Sequence, residues 1–379
     1  MDYSTRLRCL RQFMDDNGLK AAIISRPMNQ YYLTGFITIS YSRTIATLVE
    51  SDKVSMILPG FVEELAQQIS NADAFYTYYE HPEEADKGLD YTVHLDALLE
   101  KHGKGAKIGV ELGVVSANFA DKLRHNGYEL VEIGGFMMSM RTIKEPEELA
   151  LYREAGRIAG IGVAKTIEHS KVGNTEIDID QAGTVAATME VIRCFPNAIT
   201  DKFTMSPSGI ERSCLPHVTS SVRKLEPVDM VLHNRQLIIN GYHTECQRTY
   251  FLGSVNDKQR DLFNIMLEAN YATLASVKAG VRACEVDAAG RNVFKKYGIA
   301  DLFNHRIGKG CGLEMLEEPF IRFDNESILQ ENMVISLHPG FYYKGYGGFR
   351  HSDTLIVTAN GCEVLTTYPK ELKDLIFEG

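Results

Sequence analysis

Four segments in the second half of the chain gather histidines, carboxylates and glycines, the residue types used for acid–base, metal and oxyanion chemistry. They are Ser208-Gly-Ile-Glu-Arg-Ser-Cys-Leu-Pro-His217, Asp229-Met-Val-Leu-His-Asn234 with Gly241-Tyr-His-Thr-Glu245-Cys-Gln-Arg-Thr249, His305-Arg-Ile-Gly-Lys309-Gly-Cys-Gly312, and His338-Pro-Gly340 with Arg350-His-Ser-Asp353. Several titratable groups converging in this way point to a pocket. Cys214, Cys246 and Cys311 fall inside these segments and offer a thiol nucleophile, although a buried cysteine more often packs as a small hydrophobe. Gly308 to Gly312 lacks the GxxxxGK[ST] frame of a phosphate loop. His233 and His243 are expected to alternate strand faces, with His243 exposed.

The order and spacing of these segments resemble the pita-bread family that contains creatinase, Xaa-Pro aminopeptidase, prolidase and methionine aminopeptidase. In the first domain, Asn29-Gln-Tyr-Tyr-Leu-Thr-Gly35-Phe36 is similar to the YLTG segment of creatinase and aminopeptidase P. The resemblance implies an α+β protein: a creatinase-type α/β domain over residues 1–140, then a pita-bread domain over residues 141–379. It also implies that the glycines around Lys309 serve close backbone packing.

Peptidases of that family bind two metal ions through two Asp, one His and two Glu, hard oxygen-rich ligands suited to activating a water. The matching positions here are Asn234, Glu245, Lys309, His338 and Ser352. All five differ, and a protonated amine at Lys309 donates hydrogen bonds and cannot ligate. The expectation is therefore no metal and no cofactor. Creatinase shows that the fold hydrolyses a C–N bond without metal, using a histidine whose counterpart here is His217. Such a residue can deprotonate a water and then protonate the leaving nitrogen. Ectoine hydrolase, another relative, makes Glu245 a nucleophile or polarising base.

The same resemblance points to Tyr41 and Arg43 as an aromatic-x-Arg element reaching the neighbouring subunit's cleft, where an arginine fork grips a carboxylate. That implies a homodimer. Gln247 and His338 stand where creatinase grips its guanidinium with glutamates. Losing two anions, beside Lys309, His338, His351 and His217, makes an anionic or zwitterionic small substrate more consistent than creatine. The leading expectation is a metal-independent C–N hydrolase. The alternatives are a non-catalytic binding module that kept an Xaa-Pro peptidase fold, and a lyase acting on a small zwitterion.

Composition agrees with a folded enzyme. The 379 residues are 44% hydrophobic and 24% charged, enough to bury a sizeable core without disulfides. A net charge of −10 argues against a nucleic-acid partner. Seven cysteines without CxxC spacing read as reduced thiols of a cytoplasmic protein. No apolar run approaches the roughly 20 residues that span a bilayer, so no membrane partner is expected.

The elements that must position the chemistry can be read coarsely. A helix over Tyr3 to Asn17 should stop at Gly18, followed by strands at Leu19–Ser25, Thr44–Glu50, Lys53–Leu58 and Lys107–Glu111 and a helix at Ser116–Asn126. Pro146 with Glu147 and Glu148 starts a long helix toward Ser170, burying Leu149, Tyr152, Ala155 and Ile158. Strands are expected at Val228–Leu232, Arg248–Phe251, Met333–Leu337 and Thr354–Val357, with one helix near 258–279. Tyr31 and Tyr32 are assigned to the core.

Overall fold

The computed structural model describes residues 2–39 and 42–378, and the chain divides into two compact units, Met1–Met140 and Arg141–Gly379. In the first, the helix Tyr3–Asn17 starts where the Asp2 carboxylate accepts the Thr5 N–H. It stops at Gly18, whose left-handed φ of 68° spares the strain a side chain would incur. The strand Leu19–Ile24 lies inside a six-stranded mixed sheet, between Ala46–Val49 and Lys107–Val110. Val54–Pro59 runs antiparallel to Ala46–Val49. Ser116 caps the helix Ala117–His125 by accepting the Phe119 N–H at 3.2 Å. Ile23, Leu48, Ile57, Leu95 and Ile108 are fully buried beneath the helices, each contributing roughly 1.5–3 kcal/mol of transfer free energy. Tyr31 and Tyr32 are also buried.

The second unit opens with the helix Pro146–Glu168. Glu148 accepts the Glu145 N–H at 2.6 Å, and Leu149, Tyr152, Ala155 and Ile158 are buried. The helix packs on Glu176–Cys194, an element that the apolar pattern did not reveal. Its signal is the capping box: Thr175 accepts the Asp178 N–H at 3.1 Å while Asp178 accepts the Thr175 N–H at 2.9 Å. The helix expected near 258–279 is present as Asp257–Ser276, and a further one, Ala283–Lys296, follows it. The second escapes a periodicity reading because Asp287 and Gly290 interrupt its buried stripe. A Cβ on Gly290 would collide with Thr273 and Ile307, so the gap in apolarity is what lets the two helices approach.

These helices support a nine-stranded, mostly antiparallel sheet. Its main path runs Glu317–Ile321, Gly308–Gly310, Val334–Leu337, Ser352–Thr358, Tyr242–Leu252, Met230–Ile239 and Thr200–Met205. A hairpin of Gly340–Tyr343 and Gly347–Arg350 stands beside it. The expected strands Val228–Leu232 and Arg248–Phe251 are the apolar ends of two much longer ones. Polar residues His233 to Gln236 and His243 to Gln247 broke the apolar pattern, although they continue the same strands. Among the described residues no helix is long and apolar enough to cross a membrane.

Candidate functional site

Strand register assembles the site. Lys309 lies opposite Ser336, Ser336 opposite Thr354, and Glu245 opposite Gln236. The Glu245 N–H donates to Thr354 Oγ1 at 2.8 Å, and that hydroxyl donates to the Glu245 carbonyl at 3.1 Å, joining the two halves of the row. Five neighbouring strands thus contribute one residue each to a transverse line. Gly308 keeps the Lys309 strand close: a Cβ there would fall 2.7 Å from the Leu337 side chain and the Ser336 carbonyl.

Lys309, Glu245 and Gln236 from this row line a cavity of about 540 Å³. Its walls include His305, His338, Tyr342 and Arg350, and its lining includes His217, Phe203 and Leu316, which are exposed. Lys309 Nζ sits 3.3 Å from Glu245 Oε2, with both side chains less than a tenth exposed. Ser336 Oγ donates to the same oxygen at 3.2 Å. Burial works to raise the Glu245 pKa, but the charges of Lys309 and Arg350 and these hydrogen bonds outweigh it and hold it below the ordinary carboxylate value. Burial, with Arg350 next, pushes His338 well below its usual pKa and His305 down to about 3. Both imidazoles are therefore neutral near pH 7.

Several buried polar atoms here have no protein partner: Asn234 Oδ1, Gln236 Oε1, His305 Nε2, His338 Nδ1 and Arg350 Nε. Leaving such groups unmade costs roughly 1–3 kcal/mol each. A pocket that tolerates so many is built to complete them with something else.

Of the residues singled out from sequence, His217, Glu245, Lys309 and His338 meet in this cavity. Gln247 shares the Glu245 face but is fully covered behind the cavity lining, with Ser352 Oγ donating to its Oε1 at 3.2 Å and its Nε2 without a protein partner. His351 lies away from the cavity lining. Strand parity sends it, with Asp353, to the opposite face from Ser352, where it packs edge-on to Phe263 with ring centroids 5.3 Å apart. Burial and the Arg248 charge lower its pKa to about 3. His243 is half-buried rather than exposed.

Arg43 belongs to the first unit, where its Nη2 pairs with Glu80 at 2.7 Å. Tyr41 lies outside the described residues. Burial pushes the Cys311 thiol up to about 12 and raises Cys246 and Cys214 as well, which removes thiolate character from all three.

Arg350, Arg306, His305 and Tyr342 line the cavity; the first three stand in the segments quoted from sequence but were assigned no role, and Tyr342 was not singled out. The hairpin aims Arg350: it faces Gly340 across the turn, and a Cβ on Gly340 would come within 2.5 Å of the Arg350 side chain. The sequence signal was the pair His338-Pro-Gly340 and Arg350, whose partnership only the pairing discloses.

The five ligand positions implied by the resemblance also have definite places. Asn234, Glu245, Lys309 and His338 line the cavity, and Ser352 is buried beside Gln247. Among the described residues no group of three or more His, Cys, Asp or Glu could hold a metal ion.

Two family models cover most of the chain: the metallopeptidase family M24 over residues 150–359 and the creatinase/prolidase N-terminal domain over residues 6–143. The chain is 31% identical to an Xaa-Pro dipeptidase from Pyrococcus furiosus, over 97% of this chain and 99% of that protein. The solved prolidase from Pyrococcus horikoshii superposes with a TM-score of 0.83 at 28% identity, covering 97% of this chain and 99% of that one. Prolidase from Pyrococcus furiosus gives 0.80 at 29% identity, covering 95% and 99%. By sequence over nearly its whole length and by fold, the chain belongs to metallopeptidase family M24, with a creatinase/prolidase N-terminal domain.

Proposed function

We propose that this chain hydrolyses a C–N bond in a small carboxylate-bearing molecule without a metal ion. The observation that carries the reading is the Lys309–Glu245 ion pair, 3.3 Å, among the residues lining the cavity. The donor set does not suit the two-metal centre of the family. Lys309 contributes an ammonium, Asn234 is a neutral amide, and the Glu245 carboxylate is already engaged by a cation. No step is therefore routed through a metal.

The residues present support a different division of labour. His217, exposed at the cavity, takes a proton from water as the water oxygen adds to the electrophilic carbon of the scissile group. The displaced π electrons move to the heteroatom on that carbon, where the Lys309 ammonium meets the developing negative charge. Collapse breaks the C–N bond and the leaving nitrogen takes the proton back from His217. Glu245, paired as it is, fits the role of orienting Lys309 better than that of a nucleophile. Arg350, buried beside Tyr342 Oη at 3.0 Å, is suited to grip the substrate's carboxylate. Residues 1–140 are proposed to supply Tyr41 and Arg43 to a partner copy in a homodimer, which requires Arg43 to leave Glu80.

The dipeptidase relatives make Xaa-Pro dipeptides the first substrates to assay, followed by amidino and acylated amino acids, in buffer freed of divalent ions. His217→Ala is expected to lower kcat by ~10²–10⁴-fold with a much smaller change in KM. Turnover that survives His217→Ala, or that appears only with about two bound metal ions per chain by elemental analysis, would falsify the mechanism.

A further inference from the structure

The charges lining the cavity do not balance, and the imbalance describes the ligand. Lys309 and Glu245 neutralise one another at 3.3 Å. Two guanidinium groups remain, Arg350 and Arg306. Neither has a carboxylate partner in the ion pairs of the described residues. Arg350 is only 9% exposed, and its Nε has no hydrogen-bond acceptor. Its one side-chain partner is the neutral Tyr342 hydroxyl at 3.0 Å. Glu245 acts on it only at longer range, which leaves this buried guanidinium without a hydrogen-bonded carboxylate of its own.

Arg306 occupies a different place. It is half-buried, stacked over the Phe320 ring at 4.3 Å, and stands with Asn304 and His305 on the wall shared with a second cavity of about 670 Å³. The other arginines of that second cavity are engaged by their own acids: Arg291 by Asp287 at 2.7 and 3.0 Å, and Arg322 by Asp324 at 2.5 and 2.7 Å. Arg306 alone is left to receive an anion there. His305 lines both cavities beside Arg306. Its Nδ1 donates to the Arg306 carbonyl at 2.7 Å, so its unpartnered Nε2 is a bare acceptor.

We propose that the cavity is a dicarboxylate site: one carboxylate rests on Arg350 in the interior, the second on Arg306 at the junction of the two cavities, with an N–H of the ligand facing His305 Nε2. The proposal rests on the carboxylate-bearing substrate argued above and narrows it to an amino- or amido-dicarboxylic acid. A single carboxylate would leave one arginine unmatched. Two charges gathered on one phosphate would suit adjacent arginines rather than one buried and one at a shared wall.

The test is calorimetric titration of the intact protein with acetate, propionate and butyrate against succinate, glutarate, adipate and N-acetylglutamate, with inorganic phosphate as a further probe. One diacid length is expected to bind at least tenfold more tightly than the monoacids. Arg306→Gln should reduce that diacid to monoacid affinity while leaving the monoacids unchanged, and Arg350→Gln should weaken both series. Thermal melts of the variants verify folding. Monoacids that bind through Arg350 while diacids gain nothing, or an Arg306→Gln that weakens both series equally, overturn the dicarboxylate proposal and leave the carboxylate reading intact. Failure of every carboxylate to bind overturns both. Phosphate binding as tightly as the best diacid, with loss in both variants, overturns the proposal in favour of a compact dianion.

Discussion

Glu245 and Arg248 leave the strand Tyr242–Leu252 on opposite faces, and each meets an opposite charge in the interior. On the far face Arg248 is completely answered. Its Nη2 donates to Asp353 Oδ1 at 2.9 Å and to the carbonyls of Thr366 and Tyr368, and its Nη1 to those of Gln247 and Ser352. Asp353 also receives Thr366 Oγ1 at 2.9 Å and pairs with Lys370 at 2.7 Å. On the cavity face, Glu245 and Lys309 have each other, but Asn234, Gln236, His305, His338 and Arg350 keep unpartnered atoms around them. The same strands thus carry one polar cluster that is closed and one that is open. A closed network specifies the fold, and an open one waits for a ligand.

The sharpest way to break this comparison is to remove the centre of the closed cluster. Arg248→Met strands Asp353 as a buried, half-answered carboxylate and is expected to cost about 3–5 kcal/mol in urea unfolding. A cost below that of any cavity variant would show that the network is not the structural one.

Acid probes both clusters next, through His305 in the cavity and His351 on the far face, each held near 3 by burial. Unfolded, a histidine titrates near 6.5. Stability is therefore full above that pH, and it is lost as pH falls because only the unfolded chain takes up the proton. The slope is about 1.4 kcal/mol per pH unit per histidine, or about 3 kcal/mol by pH 4.5. The Asp353 carboxyl, lowered to about 2 by Arg248 and Lys370 against its desolvation, stays charged throughout and gives way only between about pH 4 and 2. His351→Asn should flatten the Tm profile between pH 6.5 and 4.5; an unchanged slope would mean that His351 is protonated in the folded state.

The open pair should be cheaper to disturb. Lys309→Met is expected to cost about 1–3 kcal/mol, because the Arg350 field still reaches Glu245 and the cavity admits water. Lys309→Met with Glu245→Gln should recover most of that loss, and the double-mutant cycle reads the coupling directly. A single variant as damaging as Arg248→Met would make the cavity pair structural. The smallest effect is expected at Arg350. Its burial is offset by the Tyr342 hydroxyl and the Glu245 charge, so Arg350→Met should change stability by less than about 1 kcal/mol while weakening carboxylate binding; a loss as large as that of Arg248→Met would place Arg350 in the closed class.

Much of the first domain was legible because local rules agree with the final packing. Gly18 ends its helix, Ser116 begins one, and short apolar strands alternate with them. Legibility failed where function interrupts the pattern. The strands Met230–Ile239 and Tyr242–Leu252 were read at half length because their middle residues are polar, and Asn234, Gln236 and Glu245 among them line the cavity. The helix Ala283–Lys296 was missed because Gly290 gives up a side chain to let a neighbour approach. Arg306 and Arg350 were hidden for another reason: nothing local distinguishes a guanidinium with a carboxylate beside it from one without.

Residue types and the family resemblance they carry determined that a lysine stands where that resemblance implies a metal-binding histidine, that His217, Glu245 and His338 belong with it, and that the chain folds into the two-part family architecture. Chemistry at a position follows from the side chain and needs no coordinates. Tertiary structure decided which of these groups meet. Alternation along a strand sorts side chains onto two faces, yet whether Ser352 or His351 turns toward the cavity depends on the register against strands far away in sequence. That register is set by hydrogen bonds and burial summed over the whole sheet, so Gln247 and His351 do not line the cavity while Arg350 and Arg306 do.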